Sequence, residues 1–335
     1  MRDQNFLKQI KINVKYLLAA MRKNPVINAV VRTSLKSVNK ITNGKLDPLL
    51  SRWRVSGIIP LHFGTINFKM FAACDDFIIE KLYYQQQYIE YTELNFFIML
   101  AKQSRVIFDV GANTGLYSIL GSKCMPAIEG SVIYAFEPHK SNMERLLKNI
   151  SLNNIKNVIP VEAAVGEKEE LIPFTIPADN RITDVSSADG DFSRRRYQQK
   201  ITWTEIKVQQ YSLDHFSQLN NINGIDLMKV DVEGYEIPVF KGALKAIKLF
   251  NPVIICEVFF SEDKKTFFDS FLQECNYSIY ELRKDHLVLM EGGMAPLKEG
   301  TNFVFAPFKV NSGDISFEDI LTRFMESRIR GNLLR

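Results

Sequence analysis

From residue 106 onward, short apolar runs alternate with amphipathic stretches. Val106-Ile107-Phe108, Val132 to Phe136, Val158 to Gly166, Ile225 to Val230 and Pro252 to Cys256 are rich in β-branched and aromatic residues and read as strands. Leu116 to Leu120 and Met143 to Asn154 lie between them with helical patterning. This order predicts a parallel sheet with helices on both faces. Pro160, inside the third run, is accommodated at strand entry. Residues 167–210 break the rhythm: Ile182 to Arg196, ITDVSSADGDFSRRR, is polar and loop-like, and the ITWTEIKV that follows alternates as a strand. Glu281 to Met290 and Asn302 to Pro307, joined by a loop with Gly292, Gly293 and Gly300, predict a closing antiparallel hairpin, and ISFEDILTRFMESRI a last helix. The expected fold is α/β: a doubly wound, mostly parallel sheet with an antiparallel C-terminal hairpin.

Upstream, Phe6, Ile10, Val14, Leu17, Leu18 and Met21 recur at helical spacing with Lys8, Lys11 and Lys15 between them, a basic amphipathic helix. Leu61 to Phe68 reads as a hairpin with a Gly64 turn, and Tyr83 to Lys102 as a helix. Its aromatics, Tyr83, Tyr84, Tyr88, Tyr91, Phe96 and Phe97, fit core packing better than a stacking platform. Glu90 and Glu93 either face a pocket or line a solvated helix face. The expected division is a basic helical extension over 1–60, a main domain over 61–312 with an accessory region at 61–105 and an insertion at 167–210, and a terminal helix over 313–335.

Charge changes the picture at the N-terminus. The net charge of the 335 residues is +4, yet residues 1–54 hold twelve basic against two acidic residues, +10, leaving −6 for the rest. No apolar run approaches the eighteen or so residues of a membrane span, and no cleavage-site pattern follows an apolar core. Two readings of the basic helix stand: contact with anionic lipid or a partner, or the commoner case of a helix docked on its own domain with its lysines in solvent. Four scattered cysteines without a C-x-x-C pair indicate neither zinc nor a disulfide framework, so a reduced cytoplasmic setting, with peripheral membrane contact left open, is the expectation. No dense basic patch in the main domain points to nucleic acid.

The candidate chemistry gathers at predicted strand ends. VIFDVGANTGLYSILG, Val106 to Gly121, is a strand, a glycine turn and a helix. Such a turn brings ligand atoms close to the backbone and aims helix-start N–H groups outward. Gly111 and Gly115 stand four apart, with Asn113 where a dinucleotide fingerprint needs its middle glycine, so a ligand without a pyrophosphate fits better. Glu137, right after the second strand, suits a ribose; its alternative is to favour the dipole of the following helix. IDLMKVDVEGYEIPVFKG delivers Lys229, Asp231 and Glu233 to the end of the fourth strand, and Glu257 ends the fifth. The insertion would overlie these ends as a lid, with Arg194, Arg195 and Arg196 either meeting an anionic acceptor or simply solvated.

In order, FDVGANTG, AFEP, AAVGE, YSLDHF, KVDVEGYE with a following KGA, and PVIICEVF resemble the FkbM family of S-adenosylmethionine-dependent methyltransferases over about residues 90–260. The resemblance implies the class I methyltransferase, Rossmann-like fold and, most often, O-methylation of a hydroxyl on a sugar, glycan or small natural product. It implies S-adenosyl-L-methionine as cofactor, with Asp109, Gly111, Asn113 and Gly115 at its methionine end, Glu137 at its ribose, and Glu162 or Ala163 where the adenine sits. Lys229, Asp231 and Glu233 match the family's K-x-D-x-E-G stretch. Asp231 or Glu233 would serve as base with Lys229 orienting it, or the two would join Glu257 around Mg²⁺ or Ca²⁺; His215 is a weaker candidate. The runner-up is a non-catalytic S-adenosylmethionine-binding protein acting at a membrane surface or on a protein partner. A dehydrogenase comes third, disfavoured by Asn113 and the closing hairpin.

Overall fold

The structure, a computed structural model, describes residues 17, 18, 20–42, 53–74, 76–84, 90–178, 186–190, 202–295, 301–310 and 314–333. The first turns of the basic helix, Phe6 to Lys15, and Arg194 to Arg196 lie outside the described residues. The chain divides into two compact units, residues 1–87 with 181–183, and 88–180 with 184–335.

The first unit holds helix α1 (Pro25–Ile41), the antiparallel hairpin β1 (Ser56–Phe63) and β2 (Ile66–Ala73), and α2 (Phe77–Tyr84). β1 starts inside the segment read as a helical extension. Burial alternates along the hairpin, with Ile59, Leu61, Phe63, Phe68, Met70 and Ala72 inside. Among the described residues the outer edge of β1 has no partner strand, and α1 covers it with polar side chains. Asn28 donates to the Arg54 carbonyl at 2.8 Å and accepts from the Ser56 N–H at 3.0 Å, while Arg32 donates to the carbonyls of Ser56 and Ile58 at 2.6 and 3.2 Å. One turn on, Lys36 donates to the Tyr83 carbonyl at 2.9 Å. The helix therefore docks by a polar face. A bare strand edge needs hydrogen-bonding partners, and this face supplies them.

The second unit carries α3 (Glu90–Ala101), β3 (Val106–Val110), α4 (Leu116–Cys124), β4 (Val132–Phe136), α5 (Lys140–Leu152), β5 (Val158–Val161), β6 (Ala164–Val165), β7 (Glu170–Pro177) and β8 (Trp203–Tyr211). Then follow α6 (Leu213–Leu219), β9 (Leu227–Val230), α7 (Glu236–Gly242), α8 (Leu244–Phe250), β10 (Val253–Val258), α9 (Glu262–Cys275), β11 (Ser278–Leu282), β12 (Leu287–Leu289), β13 (Thr301–Ala306), β14 (Asp314–Ile315) and α10 (Phe317–Leu333). The main sheet runs β14-β12-β11-β13-β10-β9-β3-β4-β5. β10, β9, β3, β4 and β5 pair in parallel and the remainder antiparallel, as the α/β reading expects. Strand order in the sheet reverses between β3 and β9, the crevice where ligands of such folds bind.

Three details differ from the sequence reading. The third apolar run splits into β5 and β6, and β6 joins β8 and β7 in a separate three-stranded sheet. Glu281 to Met290 holds parts of two strands joined by a tight turn, because Lys284 and Asp285 interrupt its apolar run. The stretch read as one helix from Tyr83 belongs to α2 and α3. The core against the sheet is aromatic, with Phe240 meeting Phe268 and Phe271 edge-on at 4.9 and 5.0 Å. Among the described residues no helix is long and apolar enough to cross a membrane.

Candidate active site

Asp109, the penultimate residue of β3, is buried, and its carboxylate accepts the Ser118 hydroxyl from α4 at 2.6 Å. Burial raises its pKa to about 6 against the pull of Ser118 and Lys229. The turn that follows is tied to the exit of β4. Gly111 and Ala112 both donate to the Phe136 carbonyl, at 3.0 and 2.9 Å, and Asn113 donates to Glu137 at 2.9 Å. These three N–H groups of the turn thus satisfy acceptors at the exit of the neighbouring strand. Gly111 has φ +82°, and a Cβ there would sit 1.8 Å from the Asp231 carbonyl oxygen, so it is the exit of β9 that requires glycine. Asn113 adopts φ +50°, and Gly115, at φ +91°, begins α4.

Glu137 lies just beyond β4, buried, with its carboxylate accepting from the N–H groups of His139 at 2.8 Å and Asn113 at 2.9 Å. The Asn142 side chain donates to it as well. Burial outweighs these bonds and raises its pKa to about 7. Three donors on about four acceptor sites leave room for one further hydroxyl. Beyond β5, Ala163 is buried and donates to the Val161 carbonyl, while Glu162 is exposed.

The ends of β9 and β10 hold a different kind of cluster. Lys229 is fully enclosed, with its ammonium 2.9 Å from Glu93 of α3 and 3.3 Å from Asp231, and 5.0 Å from the centre of the Tyr117 ring. Burial works against its charge, yet Asp231, Glu93 and Glu257 together hold its pKa well above the ordinary lysine value. Glu257 is pushed up by burial and by the negative charges of Asp231 and Glu233. Asp231 keeps about a third of its side chain, 35%, in solvent. Glu233 sits at φ +49°, uncommon outside glycine, with its carbonyl held by the hydroxyl of Ser187 at 2.6 Å. Behind this turn Glu236 accepts from the Gly234 N–H at 2.9 Å and pairs with buried Lys264.

Of the residues singled out in the sequence, Lys229, Asp231 and Glu257 meet at this rim, with Glu233 beside them. Glu93 does not line a solvated helix face; it is buried against Lys229. Ser118, Tyr117 and Ser187 were not anticipated, since a hydroxyl or ring in a helix or polar loop has no pattern of its own. Among the described residues no group of three or more His, Cys, Asp or Glu is arranged to hold a metal ion. His215 lines a separate cleft of about 570 Å³ with Glu169, Lys241 and Phe250, away from the strand-end carboxylates.

Comparison with known proteins agrees with this layout. The family profile described as Methyltransferase FkbM domain matches residues 109–279. Methyltransferase 1 of Beauveria bassiana is 25% identical over 146 residues, 41% of this chain and 57% of that protein. Hexuronic acid methyltransferase AglP of Haloferax volcanii is 26% identical over 155 residues, 46% of this chain and 56% of that protein. The alignments thus span little more than half the length of these relatives. A solved FkbM methyltransferase from Methylobacillus flagellatus is similar at 15% identity and a TM-score of 0.38, over 69% of this chain and 55% of that one. The matched residues begin at Asp109 and take in every site residue just described except Glu93, and the chain belongs to the FkbM methyltransferase family.

Proposed function

We propose that this chain transfers a methyl group from S-adenosylmethionine, the family's methyl donor, to a hydroxyl oxygen of a sugar, glycan or small natural product. The observation that carries the reading is Asp231: a partly exposed carboxylate whose position is fixed by a buried lysine, next to the Gly111 turn. The donor set of the turn fits the cofactor in one definite respect, the acceptor site still open on buried Glu137, which suits a ribose hydroxyl.

When bound, the cofactor supplies a sulfonium-activated, electrophilic methyl group. The protein's task is then to align an acceptor oxygen, exclude water and receive the hydroxyl proton. In the proposed roles Asp231 takes that proton as the new C–O bond forms and the bond from the methyl carbon to sulfur breaks with its electron pair left on sulfur. Lys229 positions Asp231, and Glu93 holds the same ammonium from its other side. The kinship with a hexuronic acid methyltransferase supports a sugar acceptor.

The test is methyl transfer from labelled S-adenosylmethionine to a panel of sugars and uronic acids. Asp231→Asn is expected to lower turnover by about a hundred- to ten-thousand-fold while leaving cofactor affinity within a few-fold. Undiminished turnover would remove Asp231 as base. Tight cofactor binding without transfer to any acceptor would favour the non-catalytic reading.

A further inference from the structure

Helix α1 presents apolar side chains to solvent. Because Asn28, Arg32 and Lys36 occupy the face that caps β1, the hydrophobic residues lie elsewhere on the helix. Val26, Ile27, Val30, Val38 and Ile41 are exposed, Val26 by 71% and Ile41 by 80%, and form two groups, one toward each end of the helix, with exposed Thr33, Ser34 and Ser37 between them. Leu17 and Leu18 extend the exposed apolar surface upstream. Chance exposure of single apolar residues is ordinary, but five exposed aliphatic residues gathered at the two ends of one helix mark a surface that something covers.

The charges around these residues identify the occupant. Residues 17–42 contain Arg22, Lys23, Arg32, Lys36 and Lys40 and no acidic residue. Lys23 and Lys40 are exposed, one near each end of α1. A second copy of the chain would bring like charges together across this face, whereas an anionic bilayer complements it. Outward apolar groups bordered by cations on a helix about 25 Å long are the geometry of a helix lying in the plane of a membrane interface. We propose that α1 is a membrane-surface anchor, seated on anionic phospholipid with Val26, Ile27, Val30, Val38 and Ile41 in the acyl boundary and its polar face still on the β1 edge. The assignment is independent of methyl transfer and places the protein where a lipid-borne or membrane-proximal acceptor would be met.

The experiment is co-sedimentation of the full chain with vesicles of phosphatidylcholine alone and of phosphatidylcholine mixed with phosphatidylglycerol. Binding to the mixed vesicles only, weakened by added salt, is expected. Val30→Asp and Val38→Asp should each lower the partition constant on the order of tenfold or more. Ser37→Leu, which adds apolar surface at an exposed position, should raise it, so a loss-of-function variant that fails to fold leaves the proposal testable. Asp231→Asn should bind vesicles as the parent does. Absence of binding, equal binding to both vesicle types, or no response to Val30→Asp and Ser37→Leu would overturn the proposal. So would a concentration-dependent dimer in sedimentation velocity that Val30→Asp dissolves, without vesicle binding in the parent, which would assign the face to a second copy.

Discussion

Two neighbouring halves of one rim bury carboxylates and treat them in opposite ways. At the ends of β3 and β4, Asp109 and Glu137 are held by neutral donors: a serine hydroxyl, two backbone N–H groups and an asparagine amide. Their raised pKa values reflect burial that these bonds only partly offset. At the ends of β9 and β10, a buried ammonium serves Glu93 and Asp231 together. Neutral donors fix geometry at little electrostatic cost, which suits a turn that must hold one ligand in one pose. A buried cation shared by two carboxylates fixes both, and one of them, Asp231, reaches solvent, where an acceptor can approach it.

The contrast is broken most severely by removing the cation. Lys229→Met leaves Glu93 buried without its partner and should lose about 3–5 kcal/mol in urea unfolding, with much of it recovered in the Lys229→Met, Glu93→Leu double variant. If the single variant is as stable as the parent, the cluster does not depend on charge pairing. Next in size, Gly111→Ala drives a methyl group into the Asp231 carbonyl and should cost about 1–3 kcal/mol while weakening both cofactor affinity and turnover, because the displaced strand end belongs to both halves. An effect on only one of the two would show the halves to be separable.

A titration sharpens the contrast on the neutral-donor side. Glu137 has its folded-state pKa raised from 4.5 to about 7, so its contribution to stability is full below about 4.5 and is lost as pH rises through 7. Ribose hydroxyls favour the charged carboxylate, so affinity for S-adenosylhomocysteine should fall by up to about tenfold per pH unit below 7 and level off above it. Calorimetry across that range should show the dependence reduced in Glu137→Gln; an unchanged profile would place the titrating group elsewhere, Asp109 being the nearest alternative. The smallest effect is expected at Ser187, where Ser187→Ala frees the Glu233 carbonyl and should cost about 0.5–1.5 kcal/mol and raise KM more than it lowers kcat, if the insertion bears on acceptor binding.

Much of this was legible in the sequence. The period of apolar runs gave the parallel sheet, and the residue following each run gave Asp109, Glu137, Asp231 and Glu257, since topology alone brings strand ends together. What remained hidden depends on contacts across the fold. The helix over Pro25–Ile41 had no reading of its own, and its polar docking face is explained only by the β1 carbonyls it meets. The spacing of Gly111 suggests a ligand turn, yet its missing Cβ makes room for a carbonyl 120 positions further on. Glu93 stands ahead of β3 among ordinary helix residues, and only the approach of α3 to β9 reveals Lys229 as its partner.

Gly111 has one further consequence. Its N–H is bonded to β4, and its α-carbon abuts the exit of β9, so three strands share a single residue. A turn locked in this way has little freedom to remodel around an arriving molecule. In hydrogen exchange the amides of Gly111, Ala112, Asn113 and Asp231 should therefore open together, in one slow event rather than as a mobile loop. The turn is accordingly preorganised, and its ordering entropy was lost when the chain folded. Adaptation to differing acceptors is left to Asp231 and the surface around it.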